Sequence, residues 1–440
     1  MEIGMFLLGL GPILWMIVAL CGLKMAGHKA SFVAMVLAAV LAITVWKLPL
    51  LDTASAALEG FAMAAWPIIL VIIAAVFLYN LSLHTGKMEV IKQMITSVSG
   101  DKRLLVLLIG WCFGGFMEGM AGFGTAIAIP AGMLAGMGFP PLLACLVCLV
   151  ANGTPTPFGS IGIPTVICSL LVTIVVSLRH EKRCSTPLEY QMTVREKQTI
   201  SVSEALRAWS PFILVFLFLL STSKLVAPLH TFFNQFASSV LIYTGEGGTP
   251  YTFSWVNTPG VWIFLAAIIG GFLQGASLQG MLHVLKGTLI QMSRTMITML
   301  CVLATAKIMG YSGMIASIAN MFVQTLGLLY PLAAPLIGGL GTFVTGSGTS
   351  SSVLFGNVQL QAAQAIGADP YWMVALNSLG VAVGKMMAPQ SLAIGLVAVN
   401  ESGKDGELLK RVFPYALAYL VIMAVIAYFG MGLFELLPIT

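Results

Sequence analysis

The sequence predicts an all-α protein, a polytopic membrane helical bundle with about 10–12 crossings. Of its 440 residues, 58% are hydrophobic and 8% are charged, whereas soluble domains usually have about a quarter charged residues. Apolar runs recur along the whole chain and can cross roughly 30 Å of hydrocarbon. They cover residues 4–23, 30–46, 57–81, 104–117, 125–178, 209–226, 260–276, 286–309, 331–400 and 412–435.

The N-terminal run and the cysteines indicate neither a cleaved leader nor metal chemistry. The run has no basic segment before it and no A-x-A cleavage site, so we expect a retained span rather than a signal peptide. The seven cysteines lie mostly inside apolar runs, and the pair Cys145 and Cys148 has no second pair or histidine cluster beside it. We expect inert buried thiols, and the sequence predicts no metal, no cofactor and no nucleic-acid partner.

The chain aligns with itself when Gly86 is placed on Gly313. Along the segment from Gly86 to Gly119, eight of 34 positions are identical to their counterparts between Gly313 and Gly346. The apolar runs 30–46 and 57–80 fall on 260–276 and 286–309 in the same self-alignment. We therefore predict two repeats, residues 1–208 and 209–440.

Each repeat divides into parts of the same kinds. The first contains scaffold helices 4–81, an interfacial arm 87–99, a hairpin 104–138, a broken helix 141–178 and a polar loop 179–208. The second contains scaffold helices 209–309, an arm 314–327, a hairpin 331–367, a broken helix 371–400 and a final helix 412–435.

The arms are short amphipathic segments with different flanking charge. Each has an apolar stripe at helical spacing and is too short to span, which is typical of interfacial helices. Lys87, Lys92, Lys102 and Arg103 flank the first arm, whereas the sequence has no Lys or Arg between Lys307 and Lys385, around the second. The positive-inside rule therefore favours inverted repeats, with the first arm cytoplasmic. The basic loop 179–208 also favours the cytoplasm, although a single crossing by 141–178 would place it outside, so its side stays open.

Four polar or glycine-rich stretches interrupt the apolar runs. They read "EGMAGFGT" and "ANGTPTPFGSIGIP" in the first repeat, and "TGSGTSSS" and "GKMMAPQSLAIG" in the second. Non-helical backbone at membrane depth survives only when it is buried in protein or lines a wet cavity. The four breaks together predict one polar cavity near the midplane. Helices restarting there, capped by Thr125 and Ser350–Ser352, would direct their N-termini at an anion.

These stretches also carry a resemblance. Together with "GFPPL", "TGSGTSSSVLFGN" and "NSLGVAVGKMMAPQSLAIG", in this order, they are similar to the signatures of the L-lactate permease family. The resemblance implies a multi-pass protein of the bacterial inner membrane, and secondary transport of lactate, glycolate and related 2-hydroxy monocarboxylates with protons. Elevator movement follows only by analogy with the wider group.

A few ionisable residues lie deep within the apolar runs, namely Glu59, Glu118, His283, Arg294, Lys307 and Lys385. A charge at the bilayer centre costs about 2.5–3.5 kcal/mol on insertion scales, so each is a candidate for function. We predict that Glu118 carries the proton and that Lys385 pairs with Glu118 or with the substrate carboxylate. We expect Arg294 and His283 near a span end or in an ordinary ion pair.

Small hydroxyls, amides and glycines at the breaks suit a compact hydroxy acid. The predicted substrate-binding residues are Gly119, Gly122, Gly124, Thr125, Asn152, Thr154, Thr156, Thr345, Gly346, Ser347, Thr349, Ser350, Ser351, Asn377 and Gln390. The predicted partners are a small monocarboxylate, a proton and the lipid bilayer, and a homodimer would suit arms that anchor a fixed scaffold.

Other function classes fit the sequence less well. A membrane metalloprotease needs H-E-x-x-H, but "HEKRC" at His180 lacks the second histidine, so we predict no enzyme and no catalytic residue. A continuous pore would favour an anion channel. The main alternative is a Na⁺-coupled symporter of another small organic anion, because hydroxyls and carbonyls also bind Na⁺.

Overall fold

A computed structural model describes residues 2–23, 25–98, 101–120, 124–157, 172–173, 175, 200–224, 226–346 and 348–434. The predicted all-α membrane bundle is confirmed. Among the described residues, six helices are long and apolar enough to cross a membrane, or seven if one bent pair counts as a span. Shorter apolar helices accompany them, and the predicted 10–12 crossings stay a prediction.

The first half begins with helices α1 (Glu2–Gly9), α2 (Gly11–Ile17), α3 (Gly27–Thr44), α4 (Leu50–Met63) and α5 (Leu70–His84). It continues with α6 (Lys87–Val98), α7 (Lys102–Val106), α8 (Gly114–Met120), α9 (Thr125–Gly136) and α10 (Pro141–Gly153). Short π-helical turns extend α2, α4 and α7. The far part of the predicted broken helix 141–178 lies almost wholly outside the described residues, as does most of the loop 179–208.

The second half begins with α11 (Val202–Thr222), α12 (Ala227–Asn234), β1 (Ala237–Val240), β2 (Tyr251–Ser254) and α13 (Pro259–Leu273). It continues with α14 (Leu278–Tyr311), α15 (Met314–Leu326), α16 (Tyr330–Thr345), α17 (Gly348–Ile366), α18 (Pro370–Met387), α19 (Pro389–Ala398) and α20 (Asp405–Phe434). In the self-alignment that places Gly86 on Gly313, α4 and α5 fall on α14, and α6 falls on α15.

The antiparallel strands β1 and β2 form a hairpin that the sequence does not predict. They pair from Ala237 with Ser254 to Val240 with Tyr251. The Tyr251 hydroxyl donates to the Trp66 carbonyl at 2.8 Å, and the Trp66 indole N–H donates to the Ser254 carbonyl at 3.0 Å. These bonds fasten the hairpin to the turn between α4 and α5.

Helices α4, α5 and α14 form an antiparallel scaffold. A Cβ on Gly60 would lie 2.5 Å from the Ala304 Cα, and the Asn80 amide donates to Thr288 and Gln291 near the other end of α14. The arm α6 therefore leaves one end of the scaffold and the arm α15 leaves the opposite end. Small residues make this contact close, as is usual where membrane helices pack.

Glycines also bring α16 and α18 into close contact. A Cβ on Gly338, Gly380 or Gly384 would overlap backbone atoms of the facing helix. The Asp369 carboxylate caps the start of α18 by accepting from the Trp372 N–H at 2.8 Å. Helix α18 ends at Met387, and α19 leaves it with a bend of 46°. This bend lies at the fourth break.

Candidate functional site

The first break lies at the tip of a helical hairpin. Helices α8 and α9 are antiparallel, since a Cβ on Gly114 would lie 3.3 Å from the Ala126 carbonyl. Gly124 has a φ of +93°, a left-handed conformation that favours glycine, and its missing side chain leaves room for Ile394 of α19. Gly124 is also the N-cap of α9, so the expectation that Thr125 caps this helix is wrong.

The third break lies at the tip of a second hairpin. Helices α16 and α17 are antiparallel, and the Ser351 hydroxyl donates to the Gly338 carbonyl at 2.9 Å. Gly346 has a φ of +62°, and any Cβ there would overlap the side-chain amide of Gln390. Helix α17 begins at Gly348, so Ser350–Ser352 lie inside its first turns and are not caps.

The described residues of all four breaks converge. Gly346 of the third break meets Gln390 of the fourth, and Gly124 of the first meets Ile394 of the fourth. At the second break, a Cβ on Gly348 would lie 3.6 Å from the Thr156 methyl group. Helices α9, α17 and α19 therefore all begin around one region.

At this region a buried carboxylate pairs with a buried ammonium. The Lys385 ammonium, in the last turn of α18, donates to Oε1 of Glu118 in α8. The side chains of Lys385 and Glu118 are only 9% and 6% exposed. Oε2 of Glu118 is buried and has no hydrogen-bond partner among the described residues. Lys385 thus occupies one oxygen of Glu118, and the second oxygen is left to accept a proton or a hydrogen bond from another donor.

A second buried carboxylate in the chain is fully satisfied. One oxygen of Glu59 pairs with the Lys307 ammonium at 2.6 Å, and the other accepts from the Tyr311 hydroxyl at 2.8 Å. The Tyr243 ring stacks on Tyr311 with the ring centroids 3.6 Å apart. Glu59 therefore has the environment of a structural acid, and Glu118 does not.

Several buried amide atoms near the breaks and on α17 and α18 lack a hydrogen-bond partner among the described residues. Buried polar atoms in proteins are normally hydrogen-bonded, so each exception calls for an explanation. Among the described residues, both amide atoms of Asn152 lack a partner, as do Nδ2 of Asn377, Oε1 of Gln390 and Oε1 of Gln359. These atoms could bond a polar ligand that carries both donors and acceptors.

The predicted site residues fall into three groups. Glu118, Lys385, Gly124, Asn152, Thr156, Gly346 and Gln390 converge as described, and Asn377 lies two turns before Lys385 on α18. Gly119 follows Glu118 near the end of α8, and Thr154 follows α10. Gly122 and Ser347 lie outside the described residues, and so do the side chains of Thr125, Thr345, Thr349 and Ser350.

Two residues differ from their expected roles, and one was missed. The Ser351 hydroxyl is engaged inside its own hairpin, so it is not a free donor in this conformation. Arg294 lies near the middle of α14 and has no carboxylate partner among the described residues, so the expected ion pair is absent there, and its expected place near a span end stays a prediction. Gln359 is fully buried and donates to Asn377 Oδ1 at 3.3 Å. It is one of three glutamines in the stretch "FGNVQLQAAQAI", and the sequence does not distinguish it from the other two.

Known proteins resemble this chain over most of its length. The profile of the L-lactate permease family matches residues 5–179 and 166–434. The L-lactate permease of Streptococcus iniae is 37% identical over 445 residues, covering 85% of this chain and 94% of that protein. Glycolate permease GlcA of Escherichia coli K12 is 29% identical over 529 residues, covering 96% and 94%.

Solved structures are more distant. The YdaH transporter of Alcanivorax borkumensis has a TM-score of 0.40 at 14% identity, with 86% of this chain and 87% of that chain covered. Similarity at this level carries no argument about the present chain. The family match and the apolar helices establish a multi-pass protein of the bacterial inner membrane. The chain belongs to the L-lactate permease family.

Proposed function

We propose that this protein is a proton-coupled symporter of small 2-hydroxy monocarboxylates, with L-lactate, D-lactate and glycolate as substrates. Relatives named L-lactate permease and glycolate permease support the substrate class. The observation that carries the coupling is the buried Glu118, which has one oxygen on Lys385 and one oxygen without a partner among the described residues.

Charge balance explains how this pair couples the two fluxes. In the empty carrier, the Glu118 carboxylate and the Lys385 ammonium sum to zero. When Oε2 takes a proton, Glu118 becomes neutral and releases Lys385, whose ammonium then pairs with the substrate carboxylate. The loaded site is again neutral. Only the half-loaded states, with the proton alone or the anion alone, carry a net charge.

The low dielectric of the bilayer penalises those half-loaded states. A single charge at membrane depth costs about 2.5–3.5 kcal/mol on insertion scales, which corresponds to a population lowered about a hundredfold or more. The empty and fully loaded carriers therefore change sides and the charged states do not. Strict coupling of one proton to one monocarboxylate follows without a dedicated gate.

The surrounding groups suit a short hydroxy acid. The partnerless amide atoms of Asn152, Asn377 and Gln390 offer both donors and acceptors to a carboxylate and a 2-hydroxyl. Helices α9, α17 and α19 begin around the pair, and the positive ends of their dipoles favour an anion there.

Alternating access is proposed as an elevator-like movement. The two hairpins and the broken helices would move together as one body along the scaffold of α4, α5 and α14, with the arms α6 and α15 as links. A homodimer joined through the scaffold belongs to this proposal, because the moving body needs a fixed partner. The mass of the purified protein in detergent tests the dimer.

A Na⁺-coupled symporter is the second candidate. The partnerless oxygens of Glu118, Asn152 and Gln390 are hard ligands of the kind that alkali cations bind. Uptake of radiolabelled L-lactate into proteoliposomes, with a pH gradient and a Na⁺ gradient imposed separately, separates the candidates. We expect accumulation with the pH gradient alone. Accumulation with the Na⁺ gradient alone would mean that Na⁺, not the proton, is the coupling ion. Saturable accumulation of lactate against its own gradient excludes a channel.

A further inference from the structure

A cavity near the middle of α14 contains an arginine that the proposed mechanism does not use. Its lining comes from three elements around the α19–α20 connection. Helices α3 and α14 contribute His28, Arg294 and Thr298, and residues 393–405 contribute Ala393 and Asp405. The empty space is about 260 Å³, which includes space open to solvent at the mouth of the cavity.

Arg294 lies near the middle of its helix, and its side chain is accessible. It lies sixteen residues after Leu278 and seventeen before Tyr311, which is about 24 Å from either end of α14. Its side chain is exposed, and no carboxylate lies within 4 Å among the described residues. The starts of α3 and α20 lie beside it, because Gly27, His28 and Asp405 line the same cavity.

The other polar groups around the cavity are already engaged or neutral. The Asp405 carboxylate is buried and accepts from the Gly27 N–H at 3.3 Å, at the start of α3. The Thr298 hydroxyl donates to the Arg294 carbonyl at 3.1 Å. Of the groups that line the cavity, Arg294 is thus the cation available to a free anion, and His28 stands beside it.

Helix α19 joins this cavity to the Glu118–Lys385 site. Ala393 lines the cavity and lies one helical turn after Gln390. The Gln291 amide donates to the Val397 carbonyl and to Asn400 Oδ1, both at 2.8 Å, and thereby holds the end of α19 against α14. Basic residues lie near the starts of the two helices that meet at the cavity, Lys29 in α3 and Lys410 and Arg411 in α20, so the positive-inside rule favours the cytoplasmic side for the cavity.

We propose that this cavity is a second carboxylate site, in which Arg294 binds the substrate anion on the cytoplasmic side of the central site. The inference rests on the proposed function and assigns a release step to it. An anion that leaves Lys385 passes along α19 to Arg294, and Glu118 returns its proton and re-forms the pair with Lys385.

The test measures L-lactate exchange from each face. Right-side-out and inverted vesicles, from a host lacking its own lactate and glycolate carriers, expose the outer and cytoplasmic faces of the full chain. We expect Arg294→Gln to raise the half-saturating lactate concentration at the cytoplasmic face roughly tenfold or more, since a charged hydrogen bond is lost, and to change it less than twofold at the outer face. Arg294→Lys should restore part of the loss.

Ser293→Ala is the matched control, because Ser293 is exposed on the same helix but does not line the cavity. It should leave both faces unchanged. An unaltered cytoplasmic value in Arg294→Gln overturns the proposal, and so does an equal change at both faces, which would mean that Arg294 acts through the central site.

Labelling of Arg294→Cys provides a readout that does not depend on turnover. A membrane-impermeant maleimide should label it from the cytoplasmic face, and L-lactate should slow that labelling. Labelling that lactate leaves unchanged contradicts the site. A wild-type protein without lactate exchange would instead reject the proposed function.

Discussion

Replacing Glu118 by glutamine tests the coupling mechanism most directly. Glutamine resembles the protonated acid, so Lys385 stays free for the substrate and the loaded site remains neutral. The empty site, by contrast, carries one uncompensated positive charge at membrane depth. We expect the empty carrier to return at about a hundredth of the normal rate or less. Glu118→Gln should therefore exchange lactate for lactate but fail to accumulate it.

The accumulation ratio that Glu118→Gln should lose follows from the stoichiometry of one proton per monocarboxylate. One pH unit is worth about 1.36 kcal/mol, so one proton per monocarboxylate supports about tenfold accumulation per unit and about a hundredfold across two units. The wild type should approach that ratio in proteoliposomes, and Glu118→Gln should stay near one. Because the wild-type reaction is electroneutral, a membrane potential should not change the wild-type ratio.

Glu59→Gln is the matched control, since it also removes a buried acid from a lysine. Removing one partner of a fully buried ion pair costs about 3–5 kcal/mol of stability. Lys307 is 28% exposed, so leaving its ammonium without Glu59 should cost less than that. Glu59→Gln should lower thermal stability yet keep concentrative uptake. If Glu118→Gln accumulates lactate as the wild type does, the proton assignment is wrong.

Three further predictions concern the neighbouring residues. Asn152→Ala should change the free energy of unfolding by less than about 1 kcal/mol, because the Asn152 amide has no partner to lose among the described residues. It should weaken lactate binding about tenfold in isothermal titration, and an unchanged affinity would mean that Asn152 does not bind the substrate. Gly346→Ala should lower stability by about 1–3 kcal/mol and abolish uptake, because the left-handed backbone and the Gln390 amide leave no room for a Cβ; a variant with normal melting and uptake would contradict this packing. Tyr311→Phe should cost about 1–2 kcal/mol through its hydrogen bond to Glu59 but spare transport, and a loss of coupling there would give the second pair a transport role.

The sequence was informative where membrane physics leaves few choices. A charge within an apolar run is rare enough that the sequence alone singles out Glu118 and Lys385. The breaks were visible because Gly, Pro and Ser interrupt long apolar runs, and their pairing followed from the alignment of the chain with itself. Both inferences depend on composition along the chain.

What the sequence did not reveal depends on contacts across the chain. Among the described residues, both oxygens of Glu59 have partners and only one oxygen of Glu118 does, and these partners lie about 250 positions away in the chain. Gly124 rather than Thr125 caps α9, because a left-handed residue is needed where α19 passes close. The mid-helix position of Arg294 was hidden because α14 runs unbroken for 34 residues, so no local signal marked its centre.

Both buried pairs draw their acid from the first half of the chain and their lysine from the second. In the self-alignment that places Gly86 on Gly313, Glu118 corresponds to Thr345 and Lys385 to Phe158, so neither position of the pair has a charged counterpart. Each half of the chain alone would contain two charged side chains without their partners. During synthesis, the two acids are therefore made before the lysines that pair with them.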